Sequence, residues 1–98
     1  MVYYVTQKNN GSITDFERCE ETIRRMQKSD PENTYISPSV AFSYLAFNEM
    51  GDIEREMRYD LLCACDALIV VGEITDKMSG EIELAEKLNF EVLYAYDN

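Results

Sequence analysis

Short runs of β-branched and aromatic residues alternate along the chain with amphipathic segments. The run ALIVV, which ends at Gly72, is continuous in its hydrophobicity and is typical of a central parallel strand buried on both faces. Earlier in the chain, apolar residues recur at helical spacing in the segment that follows Gly11. The pattern predicts four strands: Val2–Thr6, Thr34–Ile36, Ala67–Val71 and Phe90–Tyr96.

Polar and glycine residues mark where the predicted helices begin and end. Thr14 and Glu17 fit a capping box, which predicts that the first helix begins at Thr14. The segment KSDPEN contains Pro31 and ends that helix. The stretch VAFSYLAFNEMG predicts a short helix or an ordered loop that ends near Gly51, after which Asp52 caps a third helix. A fourth helix follows the ALIVV strand.

This alternation predicts the fold and the position of a binding site. Strands that alternate with helices through 98 residues indicate one α/β layered domain, residues 1–98, with a mostly parallel sheet of about four strands. Ligands bind such sheets outside the carboxyl ends of the strands. The segments that we expect at this edge are Thr6–Gly11, Ser37–Tyr44 and Gly72–Glu81.

The charge balance narrows the set of partners. Nine basic and nineteen acidic residues give a net charge of −10, so the chain should be repelled by nucleic acid and by anionic membranes. The acidity has two further interpretations, solubility and the attraction of a basic partner protein. No apolar run approaches the ~18 residues of a membrane span, and the first ten residues do not resemble a signal peptide. We therefore expect a cytoplasmic protein.

The residue types available for chemistry are few. The chain has no histidine, so catalysis would depend on carboxylates, tyrosines, serines or cysteines. Cys63 and Cys65 have the spacing of half a metal site, but no second cysteine pair completes it, and core packing is the simpler interpretation. No glycine-rich phosphate loop is found. We expect neither a metal nor a cofactor.

Glu81 interrupts the apolar face of the fourth helix. With ~100° per residue, it lies on the same arc as Met78, Ile82 and Ala85. One interpretation is that its carboxylate complements the positive end of the helix, which would contribute about 0.3–1 kcal/mol. The other is that Glu81 is a partly buried nucleophile or general base. Asp66, just before ALIVV, is likewise either a turn residue or an acid of the site.

The segment from Arg58 to Ala95 resembles the nucleoside 2-deoxyribosyltransferase-like superfamily, in particular its small members from bacteriophages and mobile elements. The pattern consists of a Cys-Asp pair, a hydrophobic strand, a loop with Ser, Met and Glu at fixed spacing, and an Ala four residues after the Glu. SPSVAFSYL also resembles the proline-containing segment of the family, which includes Pro38. The matching residues are Cys65, Asp66, Thr75, Met78, Glu81 and Ala85.

The resemblance implies a Rossmann/flavodoxin-like three-layer domain, a homodimer or larger oligomer, and a role for each site residue. Glu81 would attack the anomeric carbon of a ribosyl or deoxyribosyl group and displace the base. Asp66 or Asp60 would assist this step. The chain departs from the family pattern at Lys77, where a glycine is usual, at Gln7-Lys8 and at Arg58. The residues expected to contact substrate are Tyr3, Tyr4, Gln7, Pro38, Arg58, Lys77 and Met78, with Lys8, Arg58 and Lys77 as positive charges near a phosphate.

Three hypotheses of function follow. The first is a nucleoside or nucleotide N-glycosidase or deoxyribosyltransferase with Glu81 as nucleophile. The second is a catalytically silent relative that binds or sequesters a nucleotide-derived ligand for a phage. The third is an acidic phage-encoded inhibitor that binds a host protein in the host cytoplasm.

Overall fold

The computed structural model describes residues 1–43 and 51–96, with side chains from residue 54 in the second range. Strands and helices alternate through both ranges, as the sequence pattern predicts. The elements are β1 (Val2–Gln7), α1 (Ile13–Ser29), β2 (Thr34–Ile36), α2 (Pro38–Ala41), α3 (Gly51–Cys63), β3 (Ala67–Val71), α4 (Asp76–Lys87) and β4 (Glu91–Ala95).

The four strands form one parallel sheet in the order β2-β1-β3-β4. The chain leaves β1 toward one edge of the sheet to form β2, and then returns across β1 to form β3. This reversal makes a topological switch point between β1 and β3, where the crevice at the carboxyl ends of the strands binds ligands in α/β proteins. The predicted α/β fold of Rossmann/flavodoxin type is confirmed.

The two faces of the sheet bury different cores. On one face, Leu68 and Val70 of β3 pack with Leu62 of α3 and Ile82 of α4. On the other face, side chains of β1 and β3 pack with Ile23 and Met26 of α1. Successive side chains of a strand point to opposite faces, so each strand contributes to both cores. The result is three layers, with α1 on one side of the sheet and α3 and α4 on the other.

Helix α1 begins earlier than its sequence suggests. Ser12 is its N-cap, and the Ser12 Oγ accepts a hydrogen bond from the backbone N–H of Asp15 at 3.1 Å. Gly11 has a φ of 86°, a left-handed conformation that turns the chain just before the cap and that glycine adopts without strain. The prediction that Thr14 caps the helix is therefore wrong, because the turn at Gly11 places Thr14 inside the first turn.

Other boundaries also differ from the predicted ones. Within the described residues, helix α3 spans Gly51–Cys63, so Asp52, its predicted cap, lies inside the helix. A short helix, α2 (Pro38–Ala41), begins before the ambiguous stretch VAFSYLAFNEMG and overlaps only its first two residues, while residues 44–50 of that stretch lie outside the described residues, so the predicted helix or loop ending near Gly51 stays a prediction. Strand β4 is one residue shorter at each end than predicted. Within the described ranges, no helix is long and apolar enough to cross a membrane.

Gly80 allows α3 and α4 to approach each other beside Glu81. A Cβ atom at Gly80 would overlap the hydroxyl of Tyr59 on α3, whereas its contact with the Tyr59 ring would be ordinary at 3.6 Å. The glycine therefore serves the packing of two helices.

We expect Gly80→Ala to be stabilising only where the Tyr59 hydroxyl has been removed. Alanine in a helix interior is favoured over glycine by about 1 kcal/mol, and in the wild-type background the overlap with Tyr59 offsets that gain. In the Tyr59→Phe background the gain should be recovered. Urea unfolding of the four proteins of this double-mutant cycle measures the coupling, and an equal effect of Gly80→Ala in both backgrounds would contradict the packing argument.

Candidate active site

A cavity of about 250 Å³ lies at the carboxyl edge of the sheet, at the switch point between β1 and β3. The end of β1 forms its floor, and the first turn of α1 and the short helix α2 form one wall. Helix α3 and the first turns of α4 form the opposite wall. The segments that the sequence predicted for this edge all contribute to the cavity.

Glu81 is the most deeply buried acid of the cavity wall, with 2% of its surface exposed. The hydroxyl of Tyr4 donates a short hydrogen bond to Glu81 Oε2. The hydroxyl of Thr6 donates to Glu81 Oε1 at 2.7 Å. Tyr4 and Thr6 are two residues apart on β1 and therefore project from the same face of the sheet, toward α4. The two hydroxyls hold the carboxylate in one orientation.

Arg58 joins Glu81 to a second acid. The Arg58 side chain is buried, and its Nη1 lies 3.6 Å from Glu81 Oε1. Its Nε lies 2.8 Å from Oε1 of Glu54, one helical turn earlier on α3. Lys77 Nζ lies 3.7 Å from the other oxygen of Glu54. The wall formed by α3 and α4 thus contains two carboxylates and two cations whose formal charges balance.

Burial is the largest single effect on the pKa values of Glu81, Tyr4 and Arg58. It raises the pKa of Glu81 above its ordinary value, although the hydrogen bonds from Tyr4 and Thr6 and the charge of Arg58 act in the opposite direction. Burial, together with the carboxylate of Glu81, raises the pKa of Tyr4 well above its ordinary value. Tyr4 therefore remains a phenol that donates to Glu81. Burial lowers the pKa of Arg58, but its two carboxylate partners outweigh burial and raise it overall.

Most of the residues predicted to contact substrate lie at the cavity. Glu81 occupies the first turns of α4, as predicted. Tyr4 is fully buried and does not line the cavity; it contacts the site only through its hydrogen bond to Glu81. The remaining predicted residues that line the cavity are Gln7, Pro38, Arg58, Lys77 and Met78.

Three predicted site residues lie elsewhere. Asp66 precedes β3 at the amino edge of the sheet, and its Oδ2 accepts a hydrogen bond from the backbone N–H of Val2 at 2.7 Å. This contact fits the turn interpretation of Asp66, since the full length of β3 separates it from the cavity. Asp60 is exposed on α3 and does not line the cavity. Tyr3 stacks on Tyr35 with ring centroids 5.2 Å apart, on the opposite face of the sheet from Tyr4.

Two residues of the site had not been singled out in the sequence. Thr6 follows Tyr4 by two positions in a strand, which is the spacing of residues on one face. Glu54 precedes Arg58 by four positions in a helix, which is the spacing of a side-chain ion pair. Both signals are local and depend on knowing that Tyr4 and Arg58 lie in the site.

The other wall of the cavity is uncharged. Phe16 of α1, Pro38 of α2 and Phe42 just beyond α2 line it, together with Gln7, whose amide atoms are themselves buried. One side of the cavity is therefore suited to a polar group near Glu81, and the other to a flat, weakly polar ring. In the part of the chain that the structure describes, no group of three or more acids and cysteines is placed to bind a metal ion.

Comparison with known protein families and with curated proteins gives no match to this sequence. The resemblance to the nucleoside 2-deoxyribosyltransferase-like superfamily therefore stays a prediction.

The raised pKa of Glu81 predicts how stability depends on pH. The folded protein holds the proton of Glu81 more tightly than the unfolded chain does. The resulting stabilisation is present below pH ~4, the ordinary range of a carboxyl, and is lost as the pH rises through the folded pKa. Glu81→Gln places a neutral group of the same shape there and removes this titration.

We therefore expect the free energy of unfolding of wild type minus that of Glu81→Gln to decrease from acidic to neutral pH. Urea unfolding of both proteins at a series of pH values measures the difference, in which the titration of the other acids largely cancels. A difference that increases with pH would mean that the pKa of Glu81 is lowered in the folded protein.

Proposed function

We propose that this protein cleaves the N-glycosidic bond of a nucleoside or nucleotide, with Glu81 as the nucleophile. The observation that carries the proposal is the Glu81 carboxylate, which is buried in a cavity wall and oriented by the hydroxyls of Tyr4 and Thr6. A buried acid needs compensation by its partners, and an acid that served only the helix end would be as effective on the exposed side of α4.

The carboxylate has the capacity to react while it is held in place. An ionised carboxylate accepts at about four lone-pair positions, and two of those at Glu81 are used by hydroxyl donors. A remaining lone pair attacks the anomeric carbon and forms a glycosyl ester, while the electron pair of the C–N bond leaves with the base. Water then attacks the ester and releases the sugar, or a second base attacks it and yields a new nucleoside; in both cases the proton that the attacking molecule loses neutralises the departed base. Either route regenerates the carboxylate.

Glu54 is the candidate for the residue that assists the departure of the base. It lines the cavity, and Arg58 and Lys77 hold it on the α3 side. Neither Asp66 nor Asp60 is at the cavity, so the assistance that the family resemblance assigns to an aspartate passes to Glu54 in this proposal.

The charges of the cavity favour a nucleoside over a nucleotide. The three cations expected near a phosphate each face a carboxylate, since Lys8 pairs with Glu73 at 3.6 Å and Arg58 and Lys77 both pair with Glu54. A phosphate would have to compete with these carboxylates in a protein of net charge −10. A neutral sugar requires no such exchange.

A second candidate function is the binding of a nucleotide-derived ligand without catalysis. The observation that favours it is the contact of Arg58 with Glu81, because a cation stabilises the carboxylate in its resting state and weakens it as a nucleophile. The positions of Asp60 and Asp66 outside the cavity also favour it. The inhibitor of a host protein, the homodimer and the cytoplasmic location stay predictions.

Release of free base from a panel of nucleosides and nucleoside monophosphates tests the proposal. We expect turnover by the wild type, with nucleosides preferred, and a loss on the order of 10³-fold or more in Glu81→Gln, because the nucleophile is absent. Glu83→Gln is the matched control, since Glu83 is exposed two residues away on the same helix. We expect it to retain turnover within about twofold.

Two variants separate the possible helpers. Glu54→Gln should reduce turnover strongly, whereas Asp66→Asn should leave the rate per folded molecule close to wild type, because it acts at the far edge of the sheet. Full turnover in Glu81→Gln would refute the nucleophile assignment. Absence of turnover in the wild type, together with thermal stabilisation by a nucleoside, would establish the second candidate instead.

A further inference from the structure

The end of β1 holds a polar side chain whose hydrogen-bonding capacity is unused. Gln7 is the last residue of β1, only 7% of its surface is exposed, and it lines the cavity. Among the described residues, neither its amide oxygen nor its amide nitrogen has a hydrogen-bond partner. Burial of an amide without partners costs about 1–3 kcal/mol, so an unsatisfied buried amide on a residue that lines a cavity indicates a missing partner.

The chemistry of the amide defines that partner. A glutamine side chain offers one acceptor and a neighbouring donor in a plane. It is matched by a group that presents a donor beside an acceptor, such as a carboxamide or the edge of an amino-substituted heteroaromatic ring, and glutamine reads adenine in this way in nucleic-acid complexes. A carboxylate lacks the donor and is a poor match.

Gln7 and Glu81 line the same cavity, as recognition of the base and the sugar of one nucleoside would require. Thr6, the neighbour of Gln7, contacts Glu81 directly, while Gln7 itself projects from the other face of β1. Phe16 and Phe42 line the same uncharged wall as Gln7 and offer apolar surface to a flat ring. A ligand with its sugar at Glu81 therefore extends its base along the end of β1 toward Gln7.

We propose that Gln7 determines base specificity by a paired hydrogen bond to a nitrogenous base that carries an N–H donor next to an acceptor. This inference rests on the proposed function, because it names the group that Glu81 displaces. The base is an amino-substituted nucleobase or a carboxamide-bearing pyridine, which present the same edge.

The first test is the stability of the free protein. Gln7→Leu replaces an unsatisfied buried amide by an apolar group of similar size, so we expect the melting temperature to rise by about 4 °C or more. Gln27→Leu is the matched control, because the Gln27 amide donates to the carbonyl of Asn33 at 2.6 Å and accepts from the N–H of Tyr35 at 3.0 Å. The same substitution there should lower the melting temperature.

The second test is the binding of free bases in pairs that differ by the donor. Adenine is compared with purine, cytosine with pyrimidin-2-one, and nicotinamide with nicotinic acid, by calorimetry or NMR titration. In the wild type, we expect the donor-bearing member of at least one pair to bind tighter by roughly tenfold, the effect of one bidentate pair. Gln7→Leu should abolish that preference and Gln27→Leu should retain it. The pair that responds identifies which kind of base is recognised.

The inference is overturned if no base of the three pairs binds, if the preference survives in Gln7→Leu, or if Gln7→Leu lowers the melting temperature as Gln27→Leu does. Binding of free bases does not require the nucleophile, so Glu81→Gln should keep the preference. A preference that persists in Glu81→Gln without any turnover by the wild type would refute the proposed reaction and support base recognition by Gln7.

Discussion

The packing of this structure depends on one buried carboxylate, that of Glu81. Only 2% of the surface of Glu81 is exposed, and its carboxylate can be ionised there only because Tyr4, Thr6 and Arg58 surround it. These partners come from β1 and α3, and Glu81 itself comes from α4. The geometry of one acid therefore fixes how a central strand and two helices meet, and the cavity at the edge of the sheet is the space that this arrangement leaves.

The fold and the position of Glu81 could be predicted from the sequence, because both depend on the local periodicity of apolar residues. The unbroken run ALIVV predicted a strand covered on both faces, and it is β3, buried at every position. The helical wheel placed Glu81 on the apolar face of α4, and in the structure Glu81 shares its burial with Met78, Ile82 and Ala85. A regular element with one charged residue out of pattern is the kind of signal that a sequence shows clearly.

The partners of the acid could not be predicted in the same way, because they are properties of the tertiary structure. Asp66 lies beside ALIVV in sequence, but it is at the amino edge of the sheet and five strand residues away from the site. Asp60 is two positions from Arg58, and on a helix that spacing turns it to another face. Thr6 and Glu54 can be recognised as residues of the site only once β1, α3 and α4 are packed together. The start of α1 was missed for a local reason, the left-handed turn at Gly11.

The hydrogen bond between Tyr4 and Glu81 joins residues 77 positions apart, and this separation bears on how the protein is made. The hydroxyls of Tyr4 and Thr6 leave the ribosome long before their acceptor has been translated. β1 meanwhile has only β2 to pair with, because β3 has not yet been synthesised. Parallel pairings of such long range close slowly and late. The nascent chain therefore passes through a stage with polar hydroxyls on a hydrophobic strand, and the arrival of Glu81 satisfies those donors as the cavity wall is completed.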